Sequence, residues 1–393
     1  MQSRLYECLK CRDSAPSLIR IVNSEVEIDQ VIGGTHGADY IYIYDKGLFI
    51  NVKHLNGCKV VARKERGRKK YEETYRVPRD VLEGKLLLHI SYSNKGYVYP
   101  RVCIIENEAV KCCDCPPLEQ DDEFIMEVAS VFKPLGKESE LLKLYLSIVP
   151  KLSKEIFDTV ERSGAREIFF AGHAERIREA IYNPGLSLLT SMSLITERSR
   201  VMSLLAKMSH VTELAIIAKI VKAIDGISLT DHWWIEFIWN RPLTIVKSKI
   251  TSKEYTIFYQ PSILPPIIRM IEPVAPAHMI PDVVIFEGRL KDVGLGRLHE
   301  LLESGSRPLL AVEVKTGFQL VKWERSDYIV DQLKTYKELL KPRNFALVSL
   351  RGVDPLLKAY LKSLNIAIFE NIINENVQKE FEKYVIKAIT VTG

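Results

Sequence analysis

The chain has 393 residues, 47% hydrophobic and 27% charged, with a formal net charge of +5. That length exceeds what one hydrophobic core usually serves, so two or three domains are expected. The apolar content excludes disorder on a large scale, and the mildly basic balance fits a nucleic-acid partner without requiring one.

The opening stretch MQSRLYECLKCRDS has no apolar core of signal-peptide length. The most apolar helical region, residues 215–227, is interrupted by Lys219, Lys222 and Asp225. No membrane span and a cytoplasmic location are therefore expected. Seven cysteines, an odd number, do not suggest a secreted disulfide scaffold.

Residues 1–115 predict a β-rich domain. Residues 40–52 alternate around the turn signal Asp45-Lys46-Gly47, and residues 86–92 and 97–105 flank Asn94-Lys95-Gly96. Short strands with frequent turns point to a sandwich or small barrel. A basic run, Lys64, Arg66, Arg68, Lys69 and Lys70, reads either as a track for a phosphate backbone or as a solvated hairpin tip. Gly33-Gly34-Thr35-His36-Gly37 reads as a turn, with a phosphate loop as the alternative.

Residues 116–226 predict a helical domain, entered through Pro116-Pro117 and the acidic stretch 119–123. Leu141, Leu142, Leu144, Tyr145 and Ile148 recur at helical spacing, as do Ile168, Phe169, Ile177 and Ile181. Asn183-Pro184-Gly185 breaks the region in two.

Residues 227–393 alternate strands and helices. Residues 230–240 read as a Trp-rich helix with His232, Glu236 and Asn240 as a polar stripe. Residues 279–286 predict a buried strand with Asp282 near its start. Residues 309–315 predict a second, apolar except for Glu313 and Lys315, which share a face. Charges on core-like strands need partners or a metal. Two carboxylates on adjacent strands can share Mg²⁺ or Mn²⁺, the oxygen-ligated ions that drive phosphodiester hydrolysis. A neighbouring lysine can orient the nucleophile or neutralise developing charge. The bland alternative is a strand-end turn residue and a surface ion pair. A helix over 326–340 carries Gln332 and Tyr336 one turn apart. Strands at 345–350 and 366–369 follow, with a helix at 355–364 between them.

Pro281-Asp282, an apolar strand, Glu313-Val314-Lys315 and Gln332-x3-Tyr336 together resemble the PD-(D/E)xK nuclease superfamily, in its RecB-type variant, over residues 227–370. The Asp282-to-Glu313 spacing is long for that family, and residues 288–308 read as a loop insertion. The resemblance implies a multidomain α+β protein ending in an α/β restriction-endonuclease-like domain with an αβββαβ core. It implies catalytic roles for Asp282, Glu313, Lys315, Gln332 and Tyr336. It also implies metal binding by Asp282, Glu313 and the Val314 carbonyl, with Glu236 or His232 supplied from the preceding helix. DNA as substrate comes from the resemblance alone. The β-rich, helical and nuclease order is similar in layout to McrC-type restriction subunits, which implies genome defence or repair. The chain has no G-x4-G-K-[ST] of its own, so translocation would need an ATPase partner; a homo-oligomer is the other assembly considered. Two alternatives stand beside this reading: a non-catalytic nucleic-acid-binding subunit, and a ligand-triggered nuclease.

Cys8-x2-Cys11 and Cys112-x2-Cys115 could form one tetrahedral Zn²⁺ site, with His54 and Cys58 as alternative ligands. Reduced idle thiols are the competing reading. An iron–sulfur cluster fits poorly, because all seven cysteines lie upstream of the nuclease core.

Overall fold

Alternation of apolar and polar residues carries the first part of the chain into antiparallel strands. The structure, a computed structural model, describes residues 18–32, 39–45, 48–66, 70–92, 98–114, 138–171, 174–182, 184–192, 197–236, 241–262, 280–290, 297–316 and 327–390. In chain order come β1 (Ile19–Val22), β2 (Glu25–Ile32), β3 (Asp39–Asp45), β4 (Leu48–Asn51), β5 (Lys59–Arg66), β6 (Lys70–Pro78), the short helix α1 (Arg79–Leu82), β7 (Leu86–Tyr92), β8 (Val98–Glu106) and β9 (Ala109–Asp114). They form two sheets, ordered β1-β2-β6-β5 and β4-β3-β7-β8-β9. Both expected hairpins are present, closed by Asp45 opposite Leu48 and Tyr92 opposite Val98. The sheets share one core, with Ile28, Tyr75 and Val77 from the first and Ile41, Leu87 and Ile105 from the second.

The basic run lies on the β5–β6 ribbon. Arg63 stands opposite Glu73 and Lys64 opposite Glu72, so cross-strand carboxylates offset part of its charge. Arg68, Lys69 and the segment 33–37 lie outside the described residues.

The middle of the chain supplies α2 (Glu138–Arg162), β10 (Glu167–Phe170), α3 (Glu175–Tyr182), α4 (Pro184–Met192) and α5 (Glu197–Ala223). Residues 167–170, expected to be helical, are a strand. Ile168 and Phe170 are buried while Glu167 and Phe169 are exposed, a period of two that the longer-range helical pattern masked. The chain divides into two compact units, residues 1–146 with 183–204 and residues 147–182 with 205–393. The expected helical domain is thus shared between them.

Beyond α5 follow β11 (Gly226–Ser228), β12 (His232–Ile235), β13 (Thr244–Ser248), β14 (Glu254–Tyr259), β15 (Val283–Glu287), α6 (Arg297–Glu303), β16 (Leu310–Lys315), α7 (Asp327–Leu340), β17 (Asn344–Ser349), α8 (Pro355–Ser363), β18 (Ala367–Phe369) and α9 (Glu375–Thr390). The predicted helix at 230–240 is not formed over its first part: residues 232–235 are β12, paired in parallel with β10. Buried Trp233 and Ile235 alternate with His232 and Trp234, and ladder hydrogen bonds to Glu167–Phe170 satisfy the backbone.

The main sheet runs β11-β13-β14-β15-β16-β17-β18. β13 to β16 are an antiparallel meander, and β17 and β18 then run parallel to β16. One face packs Phe258, Val284, Phe286, Ala311 and Leu347 against Leu298 of α6, Leu333 and Tyr336 of α7 and Leu357 of α8. Burial of such side chains stabilises by roughly 1.5–3 kcal/mol each. α8 begins cleanly because the Asp354 carboxylate accepts from the N–H groups of Leu356 and Leu357.

Within α5, Val201–Ala223 is long and apolar enough to cross a membrane, yet 56% of its most apolar 18-residue window is buried in the protein. It also carries charges. Buried Lys219 donates to both carboxylate oxygens of Glu155, at 2.5 and 2.7 Å, and to Gln378 at 3.0 Å. That arrangement marks a core helix tied to α2 and α9.

Candidate metal-dependent active site

Two strand registers bring Asp282 and Glu313 together. Val283 pairs with Val312, so Asp282 falls opposite Glu313 on the neighbouring strand. Glu313 shares its face with Ala311, which belongs to the core under α7. Asp282 and Glu313 are 7% and 1% exposed, unusual for carboxylates and in need of compensation.

Compensation comes from three donors. The Val314 N–H donates to Asp282 Oδ2 at 2.6 Å, the Asp282 N–H approaches Glu313 Oε2 at 3.4 Å, and the Lys315 ammonium bonds Glu313 Oε1. Burial, reinforced by the Glu313 and Glu213 charges, pushes the Asp282 carboxyl well above the carboxylate range; Lys315 and the Val314 N–H oppose it. Burial also pushes Glu313 up, against the pull of Lys315. Lys315 is pushed up because the Glu313 and Asp282 charges outweigh its own burial.

Gln332 and Tyr336 lie one turn apart on α7 and are both buried. The Gln332 amide donates to Tyr336 Oη at 2.7 Å, and Tyr336 Oη donates to the Ile280 carbonyl at 2.7 Å. The pair therefore pins the backbone two residues before Asp282. Both side chains thus lie beside the carboxylates through the Ile280 backbone.

The third carboxylate was not foreseen. Glu213 of α5, 3% exposed on its side chain, is the acid whose charge reaches both Asp282 and Glu313. Ser209 donates to its Oε1 at 2.8 Å, while Tyr259 and Gln260 donate to its Oε2 at 2.9 and 2.7 Å. Because Tyr259 Oη donates to Glu213, it accepts from His210 Nδ1, 2.7 Å away. Burial opposes the charged form of Glu213, but His210 and the bonds from Ser209 and Tyr259 outweigh it and hold its pKa below the usual value. Gln260, the residue after β14, lies in the left-handed region at φ 46°, and its N–H donates to the Asp282 carbonyl at 2.8 Å. Such a backbone costs about 1–3 kcal/mol in a non-glycine residue and concentrates at functional sites.

Glu236 belongs elsewhere. It follows β12, and its Oε2 accepts from the Trp234 indole at 3.0 Å. His232 faces Glu167, with Nδ1 3.7 Å from Oε1. Glu287, at the end of β15, pairs with Lys253 at 2.7 Å. Val314 enters the site through its N–H, whereas its carbonyl was the group expected to act.

Of the four proposed zinc ligands, the described residues include Cys112 alone. Cys112 is disulfide-bonded to Cys103 across β8–β9, with 4.0 Å between the Cα atoms, so it offers no thiolate. Cys113 is likewise disulfide-bonded. Cys8, Cys11 and Cys115 lie outside the described residues, and Cys58 is a free thiol. Among the described residues, no three His, Cys, Asp or Glu side chains converge into a ready metal-binding group. What Asp282 and Glu313 offer is a pair of oxygen donors turned mainly to protein hydrogen bonds.

Comparison with known protein families, curated proteins and solved structures found no match to the chain.

Proposed function

We propose that the chain is a metal-dependent nuclease that hydrolyses phosphodiester bonds. The observation that carries the proposal is the juxtaposition of Asp282, Glu313 and Lys315, all largely buried on adjoining strands, with Glu213 reaching them from α5. The order of elements supports it once β11 to β13 and the inserted α6 are set aside: α5, antiparallel β14-β15-β16, α7, then β17 parallel to β16. That αβββαβ order is what the PD-(D/E)xK resemblance implies.

The donor set fits the implied ion. Asp282 and Glu313 are hard oxygen ligands crowded beyond what one lysine neutralises, which suits Mg²⁺ or Mn²⁺. When bound, the cation supplies Lewis acidity and an acidified water. Asp282 and Glu313 would hold it. Lys315, now on Glu313, orients the attacking water and balances charge on the phosphate. Gln332 and Tyr336 fix the backbone beneath Asp282. His210, Ser209 and Tyr259 keep Glu213 ionised, and Gln260 helps to aim it. DNA as substrate, defence or repair as setting and an ATPase as partner follow from the resemblance and belong to the same proposal.

The test is cleavage of single- and double-stranded DNA and RNA with Mg²⁺, Mn²⁺ or EDTA, with Asp282→Asn and Lys315→Met alongside. Metal-dependent cleavage lost in both variants is expected. Binding without cleavage, equal in all three proteins, would refute the enzyme and favour the binding subunit.

A further inference from the structure

An aromatic pile stands on the outward face of β10 and β12. The Phe169 and Trp234 rings are stacked, with centroids 4.1 Å apart and planes at 24°. The Arg241 guanidinium lies 3.6 Å from the Trp234 ring centroid. Two groups that near one centroid must take opposite faces of the indole, so three flat groups form one stack. The indole N–H, held by Glu236 at 3.0 Å, fixes the tilt. Phe169 is 41% exposed although Ile168 and Phe170 beside it are buried, so strand register turns the ring outward. Arg241 is exposed and makes no ion pair among the described residues. The nearby acids are engaged, Glu236 by the indole and Glu167 by His232.

Backbone register connects this stack to the carboxylates. The Trp234 N–H donates to the Leu243 carbonyl, and the Leu243 N–H to the Ile257 carbonyl. Ile257 lies on β14, whose Tyr259 pairs with Val283 of β15, and the N–H of the next residue, Gln260, donates to the carbonyl of Asp282, which stands opposite Glu313.

We propose that Phe169, Trp234 and Arg241 form a docking platform for an unpaired base of single-stranded nucleic acid, from which the strand runs along the sheet end to Asp282 and Glu313. The inference deepens the nuclease reading and depends on it for the direction of the strand. The exposed Phe169 face takes a base of any identity, since every base has a π-face, and Arg241, at the other end of the stack, meets a phosphate further along the strand. A duplex keeps its bases stacked on each other and offers this platform little.

The test is anisotropy of fluorescein-labelled oligothymidylate, oligouridylate and a DNA duplex on the full chain in EDTA, with Phe169→Ala, Phe169→Trp and Arg241→Gln. Phe169→Ala is expected to weaken single-strand binding by about tenfold or more, Phe169→Trp to restore it, and duplex binding to stay unchanged. Arg241→Gln should lower the salt dependence by about one phosphate contact. Single-strand affinity unchanged in Phe169→Ala and Arg241→Gln, or no binding by the wild type, would overturn the platform. Mg²⁺-dependent cleavage is scored separately. A wild type that cuts, with Phe169→Ala binding normally, sinks the platform alone. Binding that depends on Phe169 without any cleavage sinks the nuclease reading alone.

Discussion

Asp282→Asn should make the protein more stable while abolishing its proposed activity. Asp282 and Glu313 face each other on neighbouring strands, so their carboxylates lie about 5 Å apart. At an effective dielectric near 20, two like charges at that distance repel by roughly 3 kcal/mol. Lys315 returns part of this, and an asparagine oxygen still accepts from the Val314 N–H at about 1 kcal/mol less than a carboxylate does. The balance is a gain of about 1–2 kcal/mol, or roughly 2–8 °C in Tm for a unit of this size. The folded-state pKa of Asp282 lies above its unfolded value of about 3.9, so the folded protein binds the proton more tightly. Wild-type stability therefore falls as pH rises from about 3.9 through the folded pKa, and the penalty is complete above that. The variant should match the wild type below about pH 4 and exceed it at neutral pH. Thermal denaturation in EDTA across that range measures the difference. Added Mg²⁺ should reverse the ranking, since a ligand at a hundred times its Kd stabilises the wild type by about 2.7 kcal/mol. An Asn variant less stable than the wild type at neutral pH in EDTA would refute the electrostatic reasoning.

Glu213→Gln should reduce metal-dependent cleavage by about 10- to 100-fold with the far-UV spectrum unchanged, measured as initial rates against Mg²⁺ concentration. Lys219→Ala leaves Glu155 without its buried partner and should cost about 3 kcal/mol, lowering Tm by roughly 6–12 °C; Lys219→Met should cost less, because its stem still fills the space. Glu370 is held below the usual carboxylate range, chiefly by its bond to Lys358. Its contribution is present above the unfolded value of about 4.3 and is lost as pH falls through the lower folded value. The stability gap between wild type and Glu370→Gln should therefore close on acidification, as pH-dependent denaturation would detect.

The strand carboxylates were legible because charge interrupts otherwise apolar runs at Asp282, Glu313 and Lys315. The helix over 327–340 and the strand–helix–strand after it were equally plain, being long and periodic. Glu213 was hidden because it sits sixty-nine residues before the next site carboxylate, within a helix read only for its apolarity. A signal was there: Glu213 and Lys219 are charges embedded in the most apolar helix, the same anomaly that marked Asp282. Glu236 misled because His232, Glu236 and Asn240 fall at intervals of four, while the competing period of two in Trp233 and Ile235 spans too few residues to stand out. The pairing of β10 with β12 joins segments more than sixty residues apart, which no local pattern encodes.

Helix α5 sets how small a working piece of this protein can be. It delivers Glu213 to Tyr259 and Gln260, and two turns on it delivers Lys219 to Glu155 and Gln378. A fragment beginning at residue 227, where the sequence pattern changes, would keep every residue of the strand motif. It would also carry a tyrosine hydroxyl and a glutamine amide with no acid to bond, and an α9 with no ammonium beneath Gln378. Dissection that respects the molecule has to retain residues 147–182 and 205–226 with the sheet, so the motif and the folding unit that serves it have different boundaries.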